Sequence, residues 1–282
     1  MTAPASAKPT EVEELVDEVI HRPLARRVVP LLIPTPITPN QVTLLSALVG
    51  ISGAVALAVG ATRPAWRIPA GLLLFAAVVL DCCDGQLARA RKISSTTGAI
   101  VDGIADYVVG ISLGICGSWY MVTVHGSPWY WLLGLAGIAS AAVQSALFDH
   151  TKTRYIARVS GGYTEREEDI DTVARNRAAA RAEGHLGDVI LLWVYEGYSR
   201  AQNAALAIPP AADPAAYRAA HADRMRTWTF LGIGTHFAIA YVAMILATWW
   251  PGSVRAYFMV CVVPLNLLLA GLMVTEPRTV TA

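Results

Sequence analysis

The run Asp81-Cys-Cys-Asp84-Gly85-Gln-Leu-Ala88-Arg89, then eight residues, then Gly98-Ala-Ile-Val-Asp102-Gly-Ile-Ala-Asp106, sets four carboxylates inside or beside two long apolar segments. Each Asp at membrane depth costs roughly 2.5–3.5 kcal/mol on insertion scales. Four in one short region require a compensating partner, and the simplest is a bound cation. The motif therefore marks a functional site and constrains the fold around it.

The segments are apolar enough for that argument to apply. The chain has 282 residues, 55% hydrophobic and only 15% charged, with a mean hydropathy of +0.46; soluble domains average about 25% charged residues. Runs long enough to span a bilayer, about 20 residues each, fall near 41–60, 67–88, 98–122, 128–148, 228–250 and 254–274. The expectation is an all-α integral membrane protein with six transmembrane helices; the third and fifth spans carry polar interruptions. A net charge of +1 creates no field that would attract nucleic acid. Cys82, Cys83, Cys116 and Cys261 all fall within the spans and read as small packing residues rather than disulfides or a zinc site. No cleavable leader is visible, so the first span is expected to act as an uncleaved anchor.

Four regions follow from the pattern. Residues 1–34 hold a polar tail and then an amphipathic stretch (11–33) suited to a helix on the membrane surface. Residues 35–148 carry spans one to four, approached through Pro34-Thr-Pro-Ile-Thr-Pro-Asn40, where Thr38 or Asn40 is placed to cap the first span. A polar insert, 149–226, contains half of the 22 Lys and Arg residues, and 227–282 carry spans five and six. Within the insert 165–171 is acidic, 172–183 is Ala/Arg-rich and helical in pattern, and 185–206 mixes Trp193, Tyr195 and Tyr198 with Asp188 and Glu196. The basic insert, the basic link Arg89, Arg91 and Lys92, and the stretch before span one share one side, with both termini, and the positive-inside rule makes that side cytoplasmic. Arg63 and Arg67, between spans one and two, are the contrary signal.

With spans two and three as an antiparallel hairpin turning near 93–94, Asp81 faces Asp106 and Asp84 faces Asp102. The spacings i,i+3 and i,i+4 keep each pair on one helix face. The four acids then meet about ten residues below the cytoplasmic end, on the order of 15 Å. An all-oxygen cluster suits Mg²⁺ or Mn²⁺. Gly85, Ala88, Gly98 and Gly103 lack bulk, and Arg89 lies one turn nearer the cytoplasm than Gly85, where its guanidinium can fork onto phosphate. Acid, metal, Arg and glycine-lined space describe a site for a diphosphate and transfer chemistry. Gly103 and Gly110 read as helix-packing positions. Arg89 taken alone fits a positive-inside flank better than a ligand.

The pattern Asp-x-x-Asp-Gly-x-x-Ala-Arg, eight residues, Gly-x-x-x-Asp-x-x-x-Asp resembles the signature of the CDP-alcohol phosphotransferases at every position: Asp81, Asp84, Gly85, Ala88, Arg89, Gly98, Asp102 and Asp106. Pro39-Asn40-x-x-Thr43 is similar to a segment common in these enzymes. The resemblance covers roughly residues 20–148 well and the last two spans loosely; the insert departs from compact members. It implies two divalent ions, Mg²⁺ or Mn²⁺, on Asp81, Asp84, Asp102 and Asp106, with Asp106 as general base. It further implies a CDP site formed by Asp81, Gly85, Ala88, Arg89, Gly98, Asn40 and Thr43, attack of an acceptor hydroxyl with release of CMP, and a homodimer.

Two substrate arrangements fit, and in both one substrate is a lipid. CDP-diacylglycerol with a soluble polar acceptor is slightly favoured over a CDP-amino-alcohol donating to a lipid alcohol. A phosphorylated acceptor needs further cations, for which Arg91, Lys92, Lys152, Arg154 and Arg158 lie near the cytoplasmic rim; as flanks they serve equally as anchors. A prenyltransferase would be expected to show Asp motifs on two separate repeats. An intramembrane cation transporter would be expected to spread its acids along a path, often over repeated halves; here they sit at one depth. The location expected is integral membrane, the plasma membrane in a prokaryote, with the site facing the cytoplasm.

Overall fold

The structure, a computed structural model, describes residues 9–93, 96–159, 170–182, 189, 192–193 and 211–275. Ten α-helices run through these residues: α1 (Arg22–Leu32), α2 (Pro39–Gly60), α3 (Arg67–Arg91), α4 (Thr96–His125), α5 (Tyr130–Val159), α6 (Ile170–Ala182), α7 (Pro214–Trp228), α8 (Ile233–Leu246), α9 (Ser253–Val262) and α10 (Pro264–Val274). Among the described residues five helical stretches are long and apolar enough to cross a membrane. They are Pro39–Gly60, Pro64–Arg91, Val101–His125, Tyr130–Val159 and Ser253–Val274. The pair Pro214–Leu231 and Ile233–Leu246, bent by 46°, supplies a sixth when counted as one. The protein is an all-α integral membrane protein.

Each local signal has a physical counterpart. The first span starts in a capping box: Thr38 Oγ1 accepts from Gln41 N (3.3 Å) while Gln41 Oε1 accepts from Thr38 N (2.9 Å), with Pro39 at the first helical position. Thr38, rather than Asn40, is the cap. Helices α2 and α3 pack at backbone distance because Gly53 has no side chain. A Cβ there would lie 3.0 Å from Ala70 O and Leu74 N. Arg67 is buried; it donates to Gly60 O (2.8 Å) and Ala247 O (2.9 Å) and stacks over Tyr120. It thus satisfies terminal carbonyls of α2 and α8, so one of the two contrary charges in the topology argument is spent inside the fold.

Four expectations require correction. The helix that carries the fourth span does not end near residue 148: α5 continues to Val159, because polarity ends an apolar run without ending a helix. The fifth span is not one straight helix. It breaks at Gly232 and restarts as α8, whose 14 residues rise only about 21 Å, short of the ~30 Å hydrocarbon core. Among the described residues nothing lies within 4 Å of a Cβ position at Gly103 or Gly110, so neither glycine packs against another described helix. The expected surface helix over 11–33 is regular only from Arg22, after a 3₁₀ turn (Thr10–Val12) and a π turn (Asp17–His21). Leu15, Val19, Ile20, Leu31 and Ile33 are exposed along it. The helix expected over 172–183 is present as α6. The segments 165–169, most of 185–206 and the turn at 94 lie outside the described residues.

Glu11, Glu13 and Glu14 of this N-terminal stretch are buried against the bundle. Glu11 accepts from Arg218 Nε (2.6 Å) and Nη2 (2.8 Å) and from Tyr155 OH (2.6 Å). Burial works against its charge, but the donors of Arg218 and Tyr155 outweigh burial and hold the carboxyl at about 2, from an ordinary 4.5. Glu13 pairs with Arg22, and Glu18 with Arg226 at 2.9 Å. Glu14 accepts from Gly234 N (3.3 Å), Thr235 N (2.6 Å) and Thr235 Oγ1 (2.8 Å), capping α8 from a segment far away in sequence. Burial and the neighbouring Asp17 push Glu14 up to about 7 despite the Thr235 donors and Lys152. This cap explains the break: a Cβ on Gly232 would collide with the Glu14 carboxyl.

Candidate functional site

The motif acids occupy adjacent helices. Asp81 and Asp84 lie on α3, Asp102 and Asp106 on α4, and α2 packs against both. Carboxylate oxygens of Asp81, Asp84 and Asp102 lie within 4.8 Å of one another. Asp106 is not one of this group. It borders, with Asp81, a cavity of about 50 Å³. The expected convergence of four acids is thus three converging and a fourth at the adjoining cavity.

Asp84 is buried and held by Thr43, whose Oγ1 donates to Asp84 Oδ2 at 2.5 Å. The hydroxyl of α2 thereby orients an acid of α3. Asp81 Oδ1 is buried and has no hydrogen-bond partner, an arrangement that polar atoms in native interiors rarely adopt without a missing ligand. Three hard oxygen donors at this separation, one with an orphaned buried oxygen, fit a divalent ion. Asp81, Asp84 and Asp102 are the residues able to hold it.

The other sequence candidates divide. Arg89 is exposed, but its guanidinium folds back over Gly85, whose Cβ position is 3.4 Å from Arg89 Nη1; the glycine keeps space for it beside Asp84. Ala88 and Gly98 are half-buried, and Asn40 is exposed in the first turn of α2. Arg91 does not approach the cluster. It donates to Ile37 O (2.6 Å), Leu32 O (2.7 Å), Ile33 O (3.0 Å) and Thr35 O (2.7 Å), and so ties the end of α1 and the proline turn to α3. Its expected role as an acceptor contact is replaced by this structural one. Lys92 closes α3 in the left-handed conformation, φ 57°. Lys152 lies over the Phe148 ring, 5.4 Å from its centroid, and Arg154 is half-buried nearby on α5. Sequence reasoning missed Glu14, Asp17 and Ser46, which line the cavity with Asp81 and Asp106. The doublet Glu13-Glu14 beside an apolar stretch was their only sequence signal.

Comparison with known proteins bears on the same residues. The family model for CDP-alcohol phosphatidyltransferase matches residues 36–176, half of the chain. A "Bifunctional IPC transferase and DIPP synthase" of Thermococcus kodakarensis is 34% identical over 138 residues, 48% of this chain and 30% of that protein. A protein of the same name from Rubrobacter xylanophilus is 40% identical over 89 residues, 29% of this chain and 19% of that protein. A "Phosphatidylinositol phosphate synthase" of Corynebacterium glutamicum is 31% identical over 162 residues, 54% of this chain and 66% of that protein. The match spans less than two thirds of the length of each of these relatives. The matched range contains the whole Asp motif on α3 and α4, and the chain belongs to the CDP-alcohol phosphatidyltransferase family.

Proposed function

We propose that the protein is a membrane phospholipid-biosynthesis enzyme that transfers a phosphate-linked alcohol from a CDP-alcohol to an acceptor hydroxyl and releases CMP. The observation that carries this reading is the convergence of Asp81, Asp84 and Asp102 within 4.8 Å, beside an Arg89 folded over Gly85. We favour CDP-diacylglycerol as donor and a soluble polar acceptor; membership of a family named for phosphatidyl transfer supports that donor. The alternative, a CDP-amino-alcohol donating to a lipid alcohol, uses the same geometry.

In this mechanism Asp81, Asp84 and Asp102 would hold Mg²⁺ or Mn²⁺, two ions in our reading, which would neutralise the diphosphate charge. Thr43 keeps Asp84 in position. Arg89 forks onto a phosphate oxygen, and Gly85, Ala88 and Gly98 leave room for the nucleotide, with Asn40 at the rim. Asp106, bordering the cavity, takes the proton of the acceptor hydroxyl. The acceptor oxygen bonds to the phosphorus distal to cytidine, the bridging P–O bond breaks, and CMP leaves with that oxygen. We place the site towards the cytoplasm, in the plasma membrane of a prokaryote, with both termini on that side, and retain the homodimer implied by the resemblance. Residues 149–226 form, in this reading, a cytoplasmic insert.

The test is CMP release by purified protein in liposomes with Mg²⁺. CDP-diacylglycerol is offered with a panel of polar alcohols, and CDP-ethanolamine with diacylglycerol. One donor supports CMP release, and Asp106→Asn lowers its rate by about 10²–10⁴-fold. Cation flux across the liposome without CMP from either donor would instead establish the transporter.

A further inference from the structure

Three turns close the end of the bundle opposite the Asp cluster, and side-chain contacts tie them together. With their adjoining helix ends they cover 60–67, 125–131 and 247–255, and they link α2 to α3, α4 to α5 and α8 to α9. Arg67 reaches Gly60 O and Ala247 O and lies over Tyr120, whose hydroxyl donates to Pro251 O at 3.5 Å. Arg255 Nη1 donates to Tyr130 OH at 3.3 Å, and the Tyr130 ring centroid is 5.2 Å from that of His125.

These stretches hold five of the chain's eight Trp residues and not one Asp or Glu. Trp129 and Trp249 are 73% and 71% exposed, and Trp66, Trp131 and Trp250 are exposed as well. Uncovered indoles are costly in water, but at a membrane boundary the ring packs among acyl chains while its N–H bonds to headgroup oxygens. Length agrees with that placement. Helix α2, with 22 residues, rises about 33 Å against a hydrocarbon core of about 30 Å. Its end at Gly60 therefore meets one boundary when its start meets the other. Charge agrees too. Arg67 is spent inside the fold, but Arg63 and Arg255 are exposed, on the end that our topology leaves outside the cytoplasm. They need a counter-charge that these turns do not contain, and lipid phosphate supplies one. The Nε2 atom of His125, buried and without a hydrogen-bond partner, adds a polar group beside Tyr130.

We propose that these three stretches form a girdle that binds the phospholipid headgroups of the leaflet opposite the Asp cluster. The five Trp rings seat at the boundary, and Arg63 and Arg255 contact lipid phosphates. Seated there, the girdle places the catalytic motif: Asp81 and Asp84 lie about 21 and 26 Å along α3 from Arg67, close under the opposite boundary. The inference stands apart from the chemistry of the Asp site.

The test uses full-length protein in phosphatidylcholine vesicles whose acyl chains carry bromine either next to the glycerol or at the chain end. Bromine quenches an indole that it touches. The fluorescence removed by Trp129→Phe/Trp249→Phe/Trp250→Phe is the signal of the girdle, and glycerol-proximal bromine quenches it about twofold more strongly than chain-end bromine. Equal or stronger quenching from the chain end would put these rings in hydrocarbon. No quenching from either would put them in water or under a protein partner, and each of these results overturns the proposal. Should the triple variant fail to melt cooperatively, Trp249→Phe alone gives the same comparison. For the cations, phosphatidylglycerol added to the vesicles raises the melting temperature of the wild type, and Arg63→Gln/Arg255→Gln removes about half of that rise or more. A rise unchanged in this variant overturns the phosphate contacts.

Discussion

Two groups of buried carboxylates lie a few residues from the same cavity and are treated in opposite ways. Glu11 and Glu14, on the N-terminal segment, each receive three hydrogen bonds from Arg218, Tyr155, Gly234 and Thr235. Asp81, Asp84 and Asp102 crowd within 4.8 Å, with one hydroxyl on Asp84 and an orphaned oxygen on Asp81. Arg218 and Tyr155 outweigh the burial of Glu11 and hold it charged, the donors to Glu14 satisfy its oxygens but do not outweigh its burial, and acids left among like charges destabilise the fold until a cation arrives. The difference separates acids that build the protein from acids that wait for a ligand.

That contrast breaks most visibly at Asp102. Asp102→Asn removes one of three mutually repelling carboxylates, so CMP release falls by about 10³-fold or more while the metal-free protein melts a few degrees higher. Mg²⁺ raises the melting temperature of the wild type by linkage and leaves that of the variant unchanged. A variant that loses activity and also melts lower would show that Asp102 holds the fold together, as Glu11 does, and would erase the distinction.

Thr43 sharpens the comparison, because its hydroxyl donates to Asp84 of the ligand group. Thr43→Val keeps the shape and removes the donor. Outer-shell partners of this kind are worth about 10–100-fold in metal affinity, so the Mg²⁺ concentration for half-maximal CMP release rises by about that factor. The saturated rate changes less, and Thr43→Ser restores the affinity. An unchanged Mg²⁺ titration would mean that Asp84 is oriented by packing alone.

The catalytic motif was legible because it violates the chemistry of its surroundings: acids in an apolar run at i,i+3 and i,i+4 leave few alternatives. Five crossings, and a sixth where the bent pair before and after Gly232 counts as one, were legible from length and hydropathy. What remained hidden depends on contacts between distant residues. The break at Gly232 lies inside a run that reads as one span, and its cause, Glu14, is more than two hundred residues away. Arg91 reads as a rim cation, yet its partners are carbonyls of the 32–37 turn, 54–59 residues back. Gly103 and Gly110 obey the small-residue pattern of packed helices, but a pattern does not say which neighbour is present. Asp17 and Glu14 were invisible as cavity residues because nothing local distinguishes a buried, capped glutamate from a solvated one.

Glu11 supplies the smallest effect and the cleanest sign. Its carboxyl sits at about 2 in the folded protein against an ordinary 4.5, so the unfolded chain binds more protons between those values. The stability it contributes is complete above about pH 4.5 and is lost as pH falls through the interval towards 2. Glu11→Gln removes a charge-assisted fork and leaves Arg218 half-satisfied, a loss of about 1–3 kcal/mol near neutral pH, read as a lower melting temperature in detergent. The gap between variant and wild type then closes as the medium is acidified. Mg²⁺ affinity and the Asp102→Asn phenotype stay as they were, because the fork with Arg218 and Tyr155 lies outside the cavity lining. A melting curve that moved with Mg²⁺ binding in Glu11→Gln would join the two groups of acids into a single coupled unit.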